Sequence, residues 1–230
     1  MQVVILAGGL ATRLGDLTRN QPKSMVKVRE KPFLEHQLEL LKGVGVRNVV
    51  LCIGHMGEQI ESYFGDGIKH GVNIKYSVEE VPLGTAGALK KAENLLNGVF
   101  FTMYGDSYLN LDFAAVMRYF KSQDKLALMT VYKNFNSYGS SNTVVEGNLV
   151  KRFSKKERAD DMVYIEYGAN IFKKEAVQMI PGNRFFPLDD LFPRLVEMEE
   201  LLAFEVKERF YEIGSPRGLA ELEAYMERTQ

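Results

Sequence analysis

This sequence of 230 residues contains a single cysteine and only three histidines. One cysteine cannot form an intramolecular disulfide, so nothing in the sequence indicates an oxidising compartment. Cys52 lies in the apolar run 49–53 and is predicted to be a small core residue. The histidines show no H-E-x-x-H or other zinc-ligand spacing, so we interpret them as structural or surface residues.

An excess of charge of one sign is also missing, and the formal net charge is -1 at pH 7. This balance provides no global attraction to nucleic acid or to an anionic membrane, so neither is expected as a partner. Any polyanionic ligand must therefore be held by charges that are placed locally. No run of 18 apolar residues predicts a membrane span, and no basic, signal-like segment opens the chain. We therefore expect a cytoplasmic protein.

What the sequence does contain is an alternation of apolar runs and helical patterns through its first half, which predicts a parallel α/β sheet. In the second half, Gly147-Asn148 indicates a two-residue hairpin turn. Neither a repeat nor a break in composition divides the chain, so residues 1–230 are predicted to form one domain. The predicted strands and helices are residues 3–6, 32–44, 48–53, 57–64, 73–77, 84–96, 99–104, 112–120, 126–132, 142–146, 149–153, 163–172, 174–179, 187–197, 201–206, 210–213 and 216–227.

The first predicted strand leads into a loop that is rich in glycine and cations, LAGGLATRLGDLTRNQPKSMVKVR at residues 6–29. Gly8 and Gly9 allow a sharp turn and a close approach of the backbone to a ligand. Arg13 and Lys23 supply fixed positive charge. A strand, a glycine turn that exposes amides and two cations together favour a phosphate cradle. The alternative is an ordinary tight turn with solvated Arg13 and Lys23.

The letters AGGLATRL and QPKSMVKV within this loop resemble the N-terminal motif of the sugar-1-phosphate nucleotidyltransferases, GGxGTRLxPLTxxxPKPLxPV. The resemblance covers nearly the whole chain and is nearest to the mannose and heptose 1-phosphate guanylyltransferase branch. It implies a doubly wound, mainly parallel α/β sheet, Rossmann-like and GT-A-like, with a small antiparallel insert over the sugar site. The sequence departs from this motif at three places: Ala11 replaces a usual glycine, Gly15-Asp16 replace the usual residues before Leu17-Thr18, and Ser24 replaces a proline. Ala11 is the departure that matters, since its methyl group could crowd a phosphate.

The segment PLGTAGAL at residues 82–89 matches a family segment that contacts the nucleotide. Glycines at the start of a helix can lay backbone against a flat base, and helix capping by Thr85 with glycines for packing is the alternative. The residues that the resemblance assigns to nucleotide binding are Leu6, Ala7, Gly8, Gly9, Arg13, Glu79, Pro82, Gly84 and Thr85.

Glu79 stands where the family has a nucleoside-contacting Gln or Glu. A carboxylate only accepts hydrogen bonds, and guanine offers it the adjacent donors N1–H and N2–H₂. Uracil and thymine offer one donor between two carbonyls, so Glu79 favours GTP. The alternative is a solvated acidic loop in which Glu80 faces the ligand.

Tyr104-Gly105-Asp106 closes a predicted strand and resembles the strand-end Gly-Asp of the family, whose aspartate holds nucleotide-bound Mg²⁺. The segment FYEIGSP resembles the family's W-x-D-I-G-T-P and places Glu212 at the second acidic position, with glutamate in place of aspartate. Mg²⁺ takes hard oxygen ligands and few carboxylates. The resemblance therefore implies an Mg²⁺ cofactor held by Asp106 and Glu212. The alternatives are Asp106 as a helix cap and Glu212 as a surface acid.

Two segments resemble the family's sugar site. RFSKKE falls where the family has F-x-E-K-P, so Lys156 takes the place of the lysine that contacts the sugar phosphate and Lys155 replaces the glutamate. A solvated lysine pair is the alternative. EYGAN resembles the N-A-G-I-Y strand, where Gly168 would admit the sugar and Glu166 would accept from its hydroxyls. The residues implied for the sugar phosphate are Lys23, Gly105, Lys156, Glu166 and Gly168.

The reaction that the resemblance implies is NMP transfer from an NTP to a sugar 1-phosphate with release of pyrophosphate, and Arg13, Lys23 and Asp106 are its catalytic residues. The sugar phosphate is already an anionic nucleophile, so alignment and charge neutralisation are needed rather than a general base. Uridylyl or thymidylyl transfer, a silent nucleotide-sensing paralogue and a glycosyltransferase are the alternatives. The implied partners are an NTP and a sugar 1-phosphate, and a homo-oligomer is left open.

Overall fold

The computed structural model describes residues 1–9 and 12–229, with the backbone alone at residues 12 and 13. The strands are β1 Gln2–Leu6, β2 Lys27–Val28, β3 Lys31–Pro32, β4 Asn48–Ile53, β5 Asn73–Val78, β6 Val99–Tyr104, β7 Ser107–Tyr108, β8 Ala127–Lys133, β9 Thr143–Glu146, β10 Leu149–Phe153, β11 Tyr164–Lys173, β12 Leu201–Val206 and β13 Tyr211–Glu212. The helices are α1 Phe33–Gly43, α2 Gly57–Phe64, α3 Gly84–Lys91, α4 Phe113–Lys121, α5 Lys174–Val177, α6 Leu188–Glu197 and α7 Pro216–Arg228.

Most of these strands form one mixed sheet in the order β5-β4-β1-β6-β11-β8-β12-β10-β9. The strands β5, β4, β1 and β6 are parallel neighbours, as the alternation in the first half predicts. β11 is antiparallel to both β6 and β8, and β10 is antiparallel to both β12 and β9, so the sheet is mixed. Of the nine strands that the structure describes in this sheet, the other seven run in one direction, so the sheet is mainly parallel in strand direction with two reversed strands.

The predicted hairpin is formed by β9 and β10, with Gly147 at φ +60° in its turn. β10 also pairs antiparallel with β12, so the hairpin continues the main sheet at its edge. Gly147 suits this turn because a left-handed backbone costs a residue without Cβ very little. The hairpin is therefore part of the same sheet that carries the parallel strands.

Strand β1 is apolar from Val3 to Leu6 because both faces of the sheet are covered. Val3 and Ile5 pack into a cluster with α1, α2 and α4, whereas Val4 packs into a second cluster with α3, α5 and α6. Alternate side chains of a strand point to opposite faces, so one run of four residues serves two cores. Helices on both faces confirm the prediction of a doubly wound, Rossmann-like α/β fold.

Several boundaries differ from the predictions. α3 ends at Lys91, and a separate 3-10 turn, Glu93–Leu95, follows it instead of a helix to residue 96. β13 lies within the predicted strand 210–213, whereas β2, β3 and β7 have no counterpart in the predictions, since strands of two residues carry no measurable periodicity. Within residues 1–9 and 12–229, no helix has the length and apolar character needed to cross a membrane.

Candidate active site

The carboxyl ends of β1 and β6 open into a cavity of about 360 Å³. Ligands bind at this end of the strands in open α/β sheets. The wall is built from the loop after β1, the segment that leads into α3, the loop after β6 and one residue before α6. The lining residues are Leu6, Ala7, Gly8, Gly9, Lys23, Ser24, Glu79, Pro82, Gly84, Thr85, Ala88, Tyr104, Gly105, Asp106 and Phe185.

Every residue predicted to bind the nucleotide that the structure describes in full lies on this wall, together with Lys23, Gly105 and Asp106. The side chain of Arg13 and the whole of Ala11 lie outside the described residues. The sequence thus identified stretches that are up to 100 positions apart and that the fold brings to one cavity. Wall residues that the sequence patterns did not assign are Ser24, Ala88, Tyr104 and Phe185.

Gly105 allows the ends of β1 and β6 to approach each other. Its amide donates to the carbonyl of Leu6 at 2.9 Å. A Cβ at this position would lie 2.9 Å from that carbonyl oxygen and 3.0 Å from Cα of Ala7. Because both neighbours are backbone atoms, only glycine fits without a shift of a strand end. The close approach sets Asp106 directly beside the glycine loop.

Gln37 of α1 holds the loop that carries Asp106. Its side chain is buried, and Nε2 donates to the carbonyls of Tyr104 and Ser107 at 2.9 and 2.8 Å. A buried amide that satisfies two carbonyls of one turn fixes the path of that turn. Sequence periodicity treats Gln37 as one polar residue on an apolar helix face, so its positioning role was missed.

Lys23 and Asp106, predicted to bind phosphate and metal respectively, form an ion pair. Lys23 Nζ lies 2.7 Å from Asp106 Oδ2, and the two side chains are 16% and 30% exposed. The other oxygen, Oδ1, accepts from the hydroxyl of Ser107 at 3.3 Å. A cation and a carboxylate therefore meet on the wall of the cavity, where a phosphate with its counter-ion would need both charges.

Glu212, the predicted second metal ligand, lies on a strand that pairs with the residue after Asp106, but its carboxylate hydrogen-bonds within its own loop. β13 pairs Glu212 with Ser107, and the amide of Ile213 donates to the carbonyl of Asp106 at 3.0 Å. The carboxylate accepts from the amide of Gly214 and from the hydroxyl of Ser215, the latter at 2.6 Å. Glu212 thus holds the turn that leads into α7.

The donor set suits a magnesium ion that takes a single protein carboxylate and shares phosphate oxygens. Asp106 offers a half-buried carboxylate on the cavity wall. Among the residues that the structure describes, no group of three or more His, Cys, Asp and Glu side chains could form a metal cage. Asp106 is consequently the carboxylate on this wall that could contribute a ligand to a metal ion.

Glu79 faces the cavity with one carboxylate oxygen. Its Oε2 accepts from the amide of Leu83 at 2.8 Å, while Oε1 lies 3.1 Å from where a Cβ on Gly8 would stand. Burial raises the pKa of Glu79, and the Leu83 amide and the charge of Lys91 oppose the shift. Glu80 is exposed and does not line this cavity. Of the two acids, Glu79 is the one that can accept from a ligand here.

The glycines of PLGTAGAL pack against the segment that leads into α6. Gly84 has φ +73°, and a Cβ on it would lie 2.9 Å from the carbonyl oxygen of Phe186. The amides of Ala86 and Gly87 donate to that same carbonyl at 3.0 and 2.8 Å. Thr85 Oγ1 accepts from the amide of Leu188 at 2.7 Å and so caps α6 rather than its own helix. Packing therefore explains these glycines, although Gly84 and Thr85 also line the cavity.

Phe185 lies at the cavity wall with 64% of its surface exposed. A large exposed aromatic ring beside a cavity is a contact surface for a flat or apolar ligand group. No motif surrounds Phe185, and its position follows from the bonds between its neighbour Phe186 and α3. Only the tertiary structure could have identified it.

A charged cluster lies behind Tyr104 on the side of β11. The Glu166 side chain is 1% exposed, and its Oε1 accepts from Tyr104 Oη at 2.7 Å and from Asn170 Nδ2 at 2.9 Å. Lys155 Nζ lies 3.3 Å from Glu166 Oε2 and 3.0 Å from Asp189 Oδ1. Burial and the neighbouring Glu166 carboxylate raise the pKa of Tyr104 well above its ordinary value, so its hydroxyl stays a donor.

The remaining residues predicted for the sugar phosphate lie around this cluster. Gly168 has φ +106° and sits at a register shift of β11 against β8, where a Cβ would lie 3.4 Å from Ser107 Oγ. Lys156 has an exposed side chain, and its amide donates to Ser154 Oγ at 3.2 Å. Lys155, rather than Lys156, is the lysine that contacts Glu166.

Comparison with known proteins gives one consistent result. The family model described as Nucleotidyl transferase matches residues 2–229. The chain is 34% identical to D-glycero-α-D-manno-heptose 1-phosphate guanylyltransferase of Campylobacter jejuni, over 89% of this chain and 83% of that protein. It is 32% identical to UTP–glucose-1-phosphate uridylyltransferase of a Synechocystis species, over 86% of this chain but 55% of that protein, so it spans about half the length of this relative.

A solved structure with the same architecture contains a bound nucleotide analogue. It is HddC from Yersinia pseudotuberculosis complexed with GMP-PN, with a TM-score of 0.82 and 26% sequence identity. The match covers 98% of this chain and 99% of that chain. The likeness therefore extends over nearly the whole fold.

Proposed function

Because the chain belongs to the nucleotidyl transferase family, we propose that it transfers the nucleotidyl group of an NTP, with GTP preferred, to a sugar 1-phosphate. The products are a nucleoside-diphosphate sugar and pyrophosphate. The observation that carries this proposal is one cavity that joins the glycine loop, Glu79 and the Lys23–Asp106 pair. A base-reading group, a cation and a metal-binding carboxylate are what such a transfer needs in one place.

In the proposed reaction, an oxygen of the sugar phosphate attacks the α-phosphorus, and the bond between that phosphorus and the bridging oxygen breaks as pyrophosphate leaves. The nucleophile is already an anion, so the enzyme supplies alignment and neutralises developing charge. We assign Lys23 to the α-phosphoryl oxygens and Arg13 to the pyrophosphate, where a guanidinium can bind in bidentate fashion. Loss of one such positioned charge is expected to cost about 3–4 kcal/mol of transition-state stabilisation.

Asp106 is the residue that we assign to Mg²⁺. When bound at Asp106, such an ion would supply positive charge that offsets the negative charge of the phosphates. In the free enzyme, Lys23 and Asp106 form an ion pair at the place where the phosphates are proposed to bind. When the ligands bind, Lys23 would contact phosphate oxygens and Asp106 would contact the metal ion in place of this pair. Glu212 is proposed as the second acid acting through water, since its own oxygens hold the turn before α7.

The preference for GTP rests on Glu79. One oxygen of its carboxylate is fixed by the Leu83 amide and the other faces Gly8 at the cavity wall. Guanine presents two adjacent donors that a carboxylate can accept from together. The Campylobacter jejuni relative is a guanylyltransferase and the Yersinia protein was crystallised with GMP-PN, which supports the same base.

The second candidate is uridylyl transfer, and thymidylyl transfer falls in the same class. It is favoured by the similarity to the Synechocystis uridylyltransferase. An acid at the position of Glu79 meets two carbonyls of uracil around a single donor, and this disfavours it electrostatically. The two candidates share the phosphate and metal chemistry and differ only in the base.

The incoming sugar phosphate is proposed to bind between the loop after β6 and β11. In this proposal Lys156 and Lys23 hold its phosphate, and Gly105 and Gly168 leave room for the sugar. Glu166 lies on the same strand as Gly168, and the β9–β10 hairpin is the antiparallel element that would lie over the sugar. Lys155 and Lys156 lie two and three positions after the last residue of this hairpin, Phe153, which supports the arrangement.

Pyrophosphate release tests the proposal. We expect release only when an NTP and a sugar 1-phosphate are both present, with GTP giving the highest kcat/KM among four NTPs. The panel of acceptors contains D-glycero-α-D-manno-heptose, α-D-mannose and α-D-glucose 1-phosphates. Absence of release with every pair would contradict the reaction, whereas a pyrimidine preference would contradict the base alone.

A further inference from the structure

Lys155 is the least expected member of the site, because two acids from different elements hold it. It lies 3.3 Å from Glu166 Oε2 on β11 and 3.0 Å from Asp189 Oδ1 in the first turn of α6. Burial alone would lower the pKa of Lys155, but the carboxylates of Glu166 and Asp189 raise it above its ordinary value. The ammonium group is therefore charged and fixed in position by two directional contacts.

Glu166 cannot be the group that meets a ligand first. Its side chain is 1% exposed, Oε1 already accepts two hydrogen bonds, and Oε2 faces Lys155. Lys155 and Asp189 are 40% and 35% exposed, so they form the accessible face of the cluster. A sugar that reaches this face meets an ammonium group and a carboxylate rather than Glu166.

The accessible face adjoins the cavity. Tyr104 is one of the residues that line the cavity, and its hydroxyl donates to Glu166 Oε1. Lys155 Nζ lies 5.4 Å from the centre of the same ring. Asp189 follows the cavity residue Phe185 by four positions, at the start of the helix that Thr85 caps. One ring thus separates the proposed nucleotide site from the cluster.

The charge of the cluster selects the kind of group that it can bind. The two carboxylates and one ammonium group of the cluster carry one excess negative charge, which would repel a phosphate in contact with it. A hydroxyl is neutral and both donates and accepts. An ammonium has three donors, of which two point to Glu166 and Asp189, so one remains for a ligand oxygen. Asp189 has a second oxygen that can accept from the same or a neighbouring hydroxyl.

We propose that Lys155 and Asp189 read the hydroxyl groups of the sugar and so determine which sugar 1-phosphate is accepted, with Glu166 as the residue that positions Lys155. This inference rests on the proposed function, since it concerns the acceptor of that reaction. It also separates the two adjacent lysines, because Lys155 serves the sugar ring and Lys156 is left to serve the phosphate.

Asp189→Asn is the variant that tests the proposal most directly. The amide keeps the size of the side chain but exchanges one acceptor for a donor, and the residue is partly exposed, so the fold tolerates the change. We expect KM for the best sugar 1-phosphate of the panel to rise about 10- to 100-fold, as for a lost hydrogen bond to a charged group. KM for the NTP should not change.

Deoxy analogues make the test specific. In the wild type, KM for one of the 2-, 3-, 4- and 6-deoxy forms of α-D-mannose 1-phosphate should exceed KM for the parent sugar phosphate by the same factor. Asp189→Asn should not raise KM for that analogue any further, because the hydroxyl and its partner belong to the same contact. If the losses from the variant and from every analogue simply multiply, the proposal is wrong and Asp189 is a structural residue.

Lys155→Met alone leaves the buried Glu166 carboxylate without its cation and is expected to destabilise the fold. The double variant Lys155→Met/Glu166→Gln removes both charges and keeps the test interpretable. The double variant should raise KM for the sugar 1-phosphate as Asp189→Asn does. Lys156→Met should instead raise KM for every acceptor by the same factor, deoxy analogues included. Equal behaviour of the two lysine positions would overturn the division between ring and phosphate.

A binding measurement distinguishes failure of this inference from failure of the proposed reaction. Calorimetric titration with α-D-mannose 1-phosphate and with inorganic phosphate does not depend on turnover. Asp189→Asn should raise Kd for the sugar phosphate and leave Kd for inorganic phosphate unchanged. Should the wild type release no pyrophosphate at all, the reaction is wrong, and this titration still decides the role of Asp189: equal loss for both ligands, or no loss for either, contradicts it.

Discussion

The proposed nucleotide side, which is the cavity wall, is shaped by backbone, whereas the proposed sugar side, the cluster of Lys155, Glu166 and Asp189 beside Tyr104, is shaped by charged side chains. On the first side, Gly105 lies against the carbonyl of Leu6, and Gly84 lies against that of Phe186. On the second side, Lys155 is held by Glu166 and Asp189 from two separate elements. The first arrangement excludes additional atoms, and the second sets the position of charges.

This difference has a consequence for how each side can vary. A backbone contact at 2.9 Å leaves no room for a methyl group, so the nucleotide side depends on glycine at fixed positions. A cluster of side chains can exchange its members if charge and volume are balanced, as a lysine in place of the usual glutamate illustrates. The sugar side is therefore where we expect related chains to differ in specificity. The predictions below test this contrast.

The largest effect is expected at Asp106, where both sides meet. Asp106→Asn should reduce kcat by at least about 100- to 1000-fold with Mg²⁺ while the fold is retained, because a positioned charge is lost. Ser107→Ala is the matched control, since it removes only the 3.3 Å hydrogen bond to Asp106 Oδ1 and should cost about tenfold at most. Pyrophosphate release measures both. Wild-type kcat in Asp106→Asn would show that the metal assignment is wrong.

The dependence of the nucleotide side on glycine is tested by Gly105→Ala. The added Cβ would lie 2.9 Å from a carbonyl oxygen and 3.0 Å from a Cα, so we expect a loss of about 1–3 kcal/mol in the free energy of unfolding. Gly98→Ala is the control, because nothing lies within 4 Å of its Cβ position. Denaturant unfolding compares the two. Equal stability of the two variants would mean that the strand ends can separate without cost.

The base is tested by Glu79→Gln. The new amide faces a guanine donor, and such a mismatch costs about 1–3 kcal/mol, or roughly tenfold or more in kcat/KM for GTP. The amide can complement the edge of a pyrimidine, so use of UTP should rise relative to GTP. An unchanged GTP-to-UTP ratio would remove Glu79 from base selection without affecting the proposed reaction class.

The two sides also differ in how far the sequence could predict them. The location of the proposed nucleotide side could be predicted, because backbone-shaped sites need glycines and a strand-end acid at fixed spacing, and Gly8, Glu79, Gly84, Gly105 and Asp106 all line one cavity. The strands of the first half could also be predicted, because a strand buried on both faces is a continuous apolar run.

The sugar side and the second half of the sheet could be predicted only in part. The contacts of Lys155 with Asp189 and of Gln37 with Tyr104 join residues 34 and 67 positions apart and leave no local pattern. The direction of β11 also depends on tertiary pairing, because a largely buried strand of ten residues is compatible with a parallel or an antiparallel arrangement. Charge pairs that the chain brings together from a distance are visible only in the folded molecule.

The smallest effect is expected from pH, and it tests the electrostatics of the nucleotide side. Burial raises the pKa of Glu79, so its carboxylate takes up a proton at a higher pH than an ordinary glutamate with a pKa near 4.5. The carboxylate is the form that accepts from guanine. Binding of GTP should therefore be strongest at neutral pH and should weaken as the pH drops towards the raised pKa of Glu79.

Measuring KM for GTP between about pH 5 and 8 should show this rise in KM on the acid side. The Glu79→Gln variant has no proton to gain at this position, so its KM should stay level over the same range. KM for UTP in the wild type serves as a second control, because a protonated Glu79 gains a donor for a uracil carbonyl and should not weaken this base. The same acid rise in both enzymes would assign it to the phosphates or the metal site instead of Glu79.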